Sequence, residues 1–382
     1  MGKGGILQIF TGGYRGAQAS FFEVQTALER LPAELKLSGV IMGWAPGKAL
    51  YRETLTYLAA KGVPLYLWMP VFSETGILAN CDPLINLEGE ALRGPQTDEA
   101  ENFEFCCPAS RRNADNVYGI FKRHFADIGF NGVFLDKIRY PSPANRPWEW
   151  RVCFCPFCLQ EYKRRELSAD ELRLASERLP QAAAPFTAVS YDGGRYRFAD
   201  SAWERFFKAK SNMVAAAVKA LSGRFREEGY RVGLDVFAPF LSPFVGQDLA
   251  ALSGCCDWIK PMMYQNTYAP AGLPFETDAL CRTGCANPAD SWFTAMTGGG
   301  RKPPPAAFLR QELEMLIKLS ACPVYPGLEV NRIPRIADIT PENIKQWAEL
   351  LPEDTPGVVL SWNVLRAPED NIRAAARALR GT

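Results

Sequence analysis

Four charged residues sit inside or at the end of short apolar runs, where a charge is costly unless it is paired or used. The run Gly132-Val133-Phe134-Leu135 ends in Asp136, followed by Lys137, Arg139, Tyr140 and a proline. Further on, Val232-Gly233-Leu234-Asp235-Val236-Phe237 carries Asp235, and Trp258-Ile259-Lys260-Pro261-Met262-Met263-Tyr264 carries Lys260 and Tyr264. Tyr325-Pro326-Gly327-Leu328-Glu329-Val330-Asn331 carries Glu329 and Asn331, and a last run ends in Ser361-Trp362-Asn363. With a period of two, Gly233, Asp235 and Phe237 share one face, as do Lys260, Met262 and Tyr264. An isolated Asp at a strand end serves equally well as a cap. Acids and a lysine recurring on successive strands are harder to explain as core.

Two carboxylates and a cation across one pocket suit glycosidic bond cleavage. One carboxyl is held protonated as the acid, the other acts as nucleophile or base, and a nearby Lys or Arg keeps the second ionised. Asp136, Asp235 and Glu329 are therefore the candidate catalytic residues, with either Asp235 or Glu329 as the partner of Asp136. Arg139, Tyr140, Lys260, Tyr264, Trp362, Trp44 and Asn331 are the candidate substrate-binding residues, and Arg15 is a further candidate for the pocket floor. His124 is the sole histidine of the chain. A histidine-based zinc hydrolase, a Ser-His triad and a Cys-His protease are thereby disfavoured, leaving acid–base work to carboxylates, Lys or Tyr. The expectation is that catalysis needs no cofactor.

The elements that must position these residues follow from the hydrophobic pattern. Apolar runs at 6–10, 39–43, 64–69, 132–136, 231–237, 258–264, 324–330 and 357–362 read as strands. Segments 21–31, 49–61, 113–128, 202–229, 305–319 and 341–351 show helical spacing, with a start signal at Thr340-Pro341-Glu342 and a stop at Lys61-Gly62. Eight strands with intervening crossovers predict an α/β protein, a single (β/α)8 TIM barrel over 1–382, with chemistry at the C-terminal ends of the strands. An open doubly wound sheet fits the same alternation, but the Gly12-Gly13 pair after the first strand is not a dinucleotide fingerprint. Long insertions after strands three and four, 73–108 and 142–201, are expected to be neighbours on the catalytic rim.

Three sequences in this frame carry a resemblance. LDKIRYP, VGLDVFAP and DWIKPMMY resemble the strand-four, strand-five and strand-six motifs of a bacterial glycoside-hydrolase-like (β/α)8 family, and GVFLD is distantly similar to galactosaminidase and Pel-type polysaccharide hydrolases. The resemblance implies a barrel that hydrolyses a poly- or oligosaccharide, with Asp136 as an active-site carboxylate and Asp235 as its partner. Departures are Lys137, where tyrosine is commoner, and Gln265-Asn266 after Tyr264 in place of Pro-Ser. Two other readings compete: a non-catalytic carbohydrate-binding barrel, and a lyase or aldolase with Lys260 as a Schiff-base nucleophile.

The eleven cysteines are the second feature with chemical content. Cys153-Phe-Cys155-Pro-Phe-Cys158 opens the rim insertion 142–201, and Cys106-Cys107 closes the one before it. A CxCxxC run is half of a zinc-type site, and Cys107 from the adjacent loop would complete a structural tetrahedron. Free thiols and an iron–sulfur cluster are the alternatives. Cys255-Cys256, Cys281 and Cys285 lack persuasive ligand spacing. Asn80, Asp82 and Asn86 are too poorly spaced for calcium and read as a solvated loop.

The formal charge of +1 leaves no electrostatic footprint for nucleic acid or an anionic membrane, and no apolar run is long enough to span a bilayer. The opening residues show no signal-peptide pattern, so a cytoplasmic location is expected. The expected partner is a carbohydrate substrate alone.

Overall fold

The apolar runs form eight parallel strands: β1 Gly4–Phe10, β2 Leu37–Gly43, β3 Leu65–Pro70, β4 Gly132–Asp136, β5 Arg231–Phe237, β6 Trp258–Met262, β7 Gly327–Glu329 and β8 Gly357–Ser361. The structure, a computed structural model, describes residues 3–12, 18–45, 47–73, 81–92, 104–145, 151–177, 187–298 and 303–380. Their order is β6-β5-β4-β3-β2-β1-β8-β7. The two ends meet where the Ile259 N–H donates to Pro323 O at 3.0 Å and the Tyr325 N–H donates to Ile259 O at 2.9 Å. The sheet is thus a nearly closed (β/α)8 barrel rather than an open doubly wound sheet. The seventh strand is shorter than its apolar run, because Pro323 and Pro326 have no N–H to give to a ladder.

Between the strands lie α1 Phe21–Glu29, α2 Lys48–Ala59, α3 Arg111–His124, α4 Pro156–Arg164, α5 Ala169–Glu177, α6 Ser201–Glu227, α7 Leu249–Ser253, α8 Leu273–Arg282, α9 Ser291–Thr297, α10 Ala306–Leu319, α11 Pro341–Ala348 and α12 Glu369–Arg380. The start signal at Thr340 is realised as a capping box with Asn343 and Pro341 in the first turn. Sequence patterning overlooked α4, α5, α7, α8, α9 and α12. Most of these are short, and α12 has a narrow apolar stripe set in charge. No described helix is long and apolar enough to cross a membrane.

The barrel interior is aromatic. Ile6, Ile41, Tyr66, Trp68, Phe134, Trp258 and Val359 form one cluster, separate from the large core between strands and helices. Trp258 stacks on Phe134 at 5.1 Å, and Tyr66 meets Trp258 edge-on at 5.7 Å. Glycine makes room for these rings: a Cβ at Gly233 would lie 2.3 Å from the Trp258 ring. Large rings plug the lower barrel, so polar inward residues are confined to its upper end.

Candidate active site

Register decides which charges meet. Leu135 pairs with Leu234 across β4 and β5, so the next residues, Asp136 and Asp235, stand side by side. Lys260 pairs directly with Asp235 across β5 and β6.

Asp136 closes β4. Trp68 of β3 donates its Nε1–H to Asp136 Oδ2 at 2.9 Å, and the Lys137 N–H donates to Oδ1 at 2.5 Å. Lys137 itself has a φ of 51°, in the left-handed region. Non-glycine residues rarely accept that conformation, and it clusters at functional sites.

Asp235 is almost fully buried. Lys260 Nζ donates to Asp235 Oδ2 at 2.9 Å and to Gln8 Oε1 of β1 at 2.9 Å. Ser361 Oγ of β8 also reaches Gln8 Oε1, at 3.4 Å, so the polar network spans β1, β5, β6 and β8. Among the described residues, the buried Asp235 Oδ1 has no hydrogen-bond partner. Burial pushes the Asp235 carboxyl up to about 7, against the pull of Lys260, and Asp136 adds to the rise. Burial alone would depress the Lys260 ammonium, but Asp235 and Tyr264 outweigh it and hold it above its ordinary range. Tyr264, buried beside the ammonium, is raised to about 12 by desolvation.

Glu329 differs from the expectation of a reactive acid. Its Oε2 accepts from the Gln265 N–H at 2.8 Å, and its Oε1 accepts from the Asn266 N–H at 3.0 Å and Thr267 Oγ1 at 2.6 Å. The carboxylate is occupied by the backbone that follows β6. Burial raises its carboxyl, opposed by the Thr267 hydroxyl and these amides. Its place is that of a brace for that segment.

Other candidates separate in the same way. Arg139 lies between the rings of Phe105 and Phe237, at 4.8 and 4.6 Å, and donates to Asn145 Oδ1 at 2.8 Å. Trp362, partly exposed beyond β8, and Tyr264 remain at the barrel's C-terminal end. Tyr140, expected at the substrate, points away from the mouth, because its hydroxyl lies 3.5 Å from Cys158 Sγ and 3.7 Å from Met213 Sδ. Trp44, also expected there, is buried and stacked on Phe125 at 6.1 Å, in the layer between barrel and helices. Asn331 accepts from the Trp362 N–H at 2.8 Å and donates to Asn363 O at 2.7 Å, so it shapes the backbone after β8. Arg15 and Asn80 lie outside the described residues. Asp82 spends its carboxylate on Ser110 Oγ and Arg112, at the start of α3.

Trp68, Gln8 and Ser361 were missed from the sequence. Each lies on the inward period-two face of its strand, and Gln8 interrupts an otherwise apolar run. That alternation, followed to the strand ends, is the signal that would have found them.

A second cluster adjoins the Tyr140 hydroxyl. The Sγ atoms of Cys107, Cys153, Cys155 and Cys158 all lie within 4.8 Å of one another, and all four residues are buried. Among the described residues it is the one group of cysteines, histidines or acids whose spacing could hold a metal ion. Cys106, adjacent in sequence, is not part of it. Cys256 and Cys322 approach to 3.7 Å elsewhere.

The fold is a (β/α)8 barrel with a polar C-terminal mouth. No protein-family profile and no curated protein sequence matches the chain. Among solved structures it is similar to the PgaB (BpsB) glycoside hydrolase domain from Bordetella bronchiseptica, with a TM-score of 0.58 and 14% identity over 100% of this chain and 98% of that one. It is also similar to a chitinase from Chromobacterium violaceum, with a TM-score of 0.47 and 10% identity over 99% of each chain. A third is the spore cortex-lytic enzyme SleL of Bacillus megaterium, with a TM-score of 0.48 and 8% identity over 98% of this chain and 74% of that one. At 14% identity the likeness to the PgaB domain is one of fold.

Proposed function

We propose that this protein is a glycan-acting hydrolase in which Asp235 is the general acid and Asp136 the partner carboxylate. The observation that carries the reading is the unpartnered, buried Oδ1 of Asp235 beside Asp136, with the other oxygen clamped by Lys260. A carboxyl that titrates near neutrality suits proton donation to a glycosidic oxygen. As the C–O bond breaks, the proton moves from Asp235 to the leaving oxygen. Asp136, with an N–H donor on each oxygen, either attacks the anomeric carbon to form a glycosyl ester that a water deprotonated by Asp235 then hydrolyses, or takes a proton from the water that attacks directly, so the net change is addition of water. Trp362 offers a ring face for a sugar.

The Schiff-base reading of Lys260 has less support. It needs a neutral amine, whereas this one is fully buried, donates to Asp235 and Gln8, and is held protonated.

The test is turnover of a panel of reducing-end-labelled hexosyl, hexosaminyl and uronosyl oligosaccharides by wild type, Asp136→Asn and Asp235→Asn. Each variant is expected to lose activity by about 10²–10⁴-fold while still binding the oligosaccharide. Undiminished turnover in Asp235→Asn would overturn the assignment. Glycan binding by wild type without cleavage of any panel member would favour the non-catalytic barrel.

A further inference from the structure

We propose that Cys107, Cys153, Cys155 and Cys158 bind one zinc ion, which clamps the chain after β3 to the chain after β4 beside the Tyr140 hydroxyl. This inference is independent of the hydrolase reading.

The geometry comes first. A tetrahedral zinc with Zn–S bonds of about 2.3 Å places its sulfurs about 3.8 Å apart. Cys107 Sγ lies 3.4 Å from both Cys155 Sγ and Cys158 Sγ, and all four sulfurs fall within 4.8 Å. Four thiols converging on one buried point gain little from weak S–H contacts. As thiolates around a soft divalent ion they form a closed, water-free shell. The all-sulfur donor set excludes calcium and magnesium, which take oxygen ligands.

The surroundings are those of metal-bound sulfur. The Ile85 and Cys155 N–H groups donate to Cys153 Sγ at 3.2 and 3.4 Å, and the Tyr140 hydroxyl adjoins Cys158 Sγ. Donors of this kind orient ligands and offset thiolate charge. A four-thiolate zinc centre carries net negative charge, and the buried Lys210 Nζ lies over the Tyr140 ring at 4.8 Å.

The ligands are also held in place independently of a metal. Asn113 Nδ2 donates to Cys107 O at 2.9 Å, and Tyr162 Oη donates to Cys153 O at 2.8 Å. Cys155 is the N-cap of α4, with Cys158 in its first turn. One backbone bond, Phe154 N–H to Ile85 O at 2.8 Å, already joins the two excursions. An ion there would make that junction rigid, against the Tyr140 hydroxyl four residues after Asp136.

The experiment is metal analysis of the full chain purified without added zinc, with native-state thiol alkylation read by mass spectrometry. The expected result is one zinc per chain, with the four cysteines protected until a strong chelator is added and Cys255 reacting freely. Cys155→Ser/Cys158→Ser should lose the zinc, whereas Cys256→Ser should keep it. Should the double variant fail to fold, cobalt substitution of wild type provides the second readout: the bands of a tetrahedral tetrathiolate are expected. Zinc well below one per chain with all four thiols reactive before chelation would overturn the proposal. Iron with acid-labile sulfide in place of zinc would overturn it equally.

Discussion

Lys260 Nζ and Asp235 Oδ2 lie 2.9 Å apart on paired positions of neighbouring strands, with side chains 0% and 3% exposed. A buried pair of this kind gains little over an apolar pair, yet removing one member leaves the other charge stranded. Lys260→Met is therefore expected to destabilise the protein by about 3–5 kcal/mol, measured by denaturant unfolding. The cost should shrink in acid, where Asp235 takes up a proton. Lys260→Met/Asp235→Leu should regain most of it, and a double variant no more stable than the single one would refute the account.

The pH dependence of stability has a definite sign. The unfolded Asp235 carboxyl titrates at about 3.9, and burial raises it to about 7 in the folded protein. The folded state therefore binds the proton more tightly. This contribution is fully present below about pH 4 and is lost as the pH rises through about 7. Glu312 is shifted the same way by burial, also to about 7. The share of Asp235 is thus read as the difference in slope between wild type and Asp235→Asn, with the variant expected to be flatter over that window.

Activity should follow the same group. If Asp235 donates the proton, kcat falls as the pH rises past about 7. Lys260→Gln removes the cation that opposes this rise, and so should move the alkaline limb to higher pH. A limb unmoved by that substitution would assign it to another residue.

Glu329 braces the segment after β6 through both carboxylate oxygens. In Glu329→Gln an amide N–H would face backbone N–H groups, costing about 1–3 kcal/mol. Hydrogen exchange at Gln265 and Asn266 is expected to speed up, and KM to rise more than kcat falls. Loss of kcat with unchanged exchange would instead mark Glu329 as a reacting group.

Two glycines should respond oppositely to alanine. At Gly233 the new Cβ would lie 2.3 Å from the Trp258 ring, which is locked against Phe134. A loss of about 1–3 kcal/mol and altered Trp fluorescence are expected. At Gly223, inside α6, the added Cβ meets no atom of the described residues within 4 Å beyond its chain neighbours and its own helix backbone. There the substitution should stabilise by up to about 1 kcal/mol. A thermal-shift series ranks both.

The strands, and the acids and lysine at their ends, were legible in the sequence. A buried parallel strand must be an apolar run, and a charge that interrupts one must have a use. The CxCxxC spacing was legible for a similar reason, since local chain geometry alone brings its sulfurs together. Period two gives the face of a strand but not the depth or the partner of a side chain. Only register set Asp235 beside Asp136 and opposite Lys260. Only the folded loops showed Glu329 occupied by residues more than sixty positions earlier in the chain, and Tyr140 turned toward the thiols. Hydrogen-bond saturation depends on neighbours that are distant in sequence, so it has no local signature, and the tertiary structure alone separates Asp235, with one unpartnered oxygen, from Glu329, bonded at both.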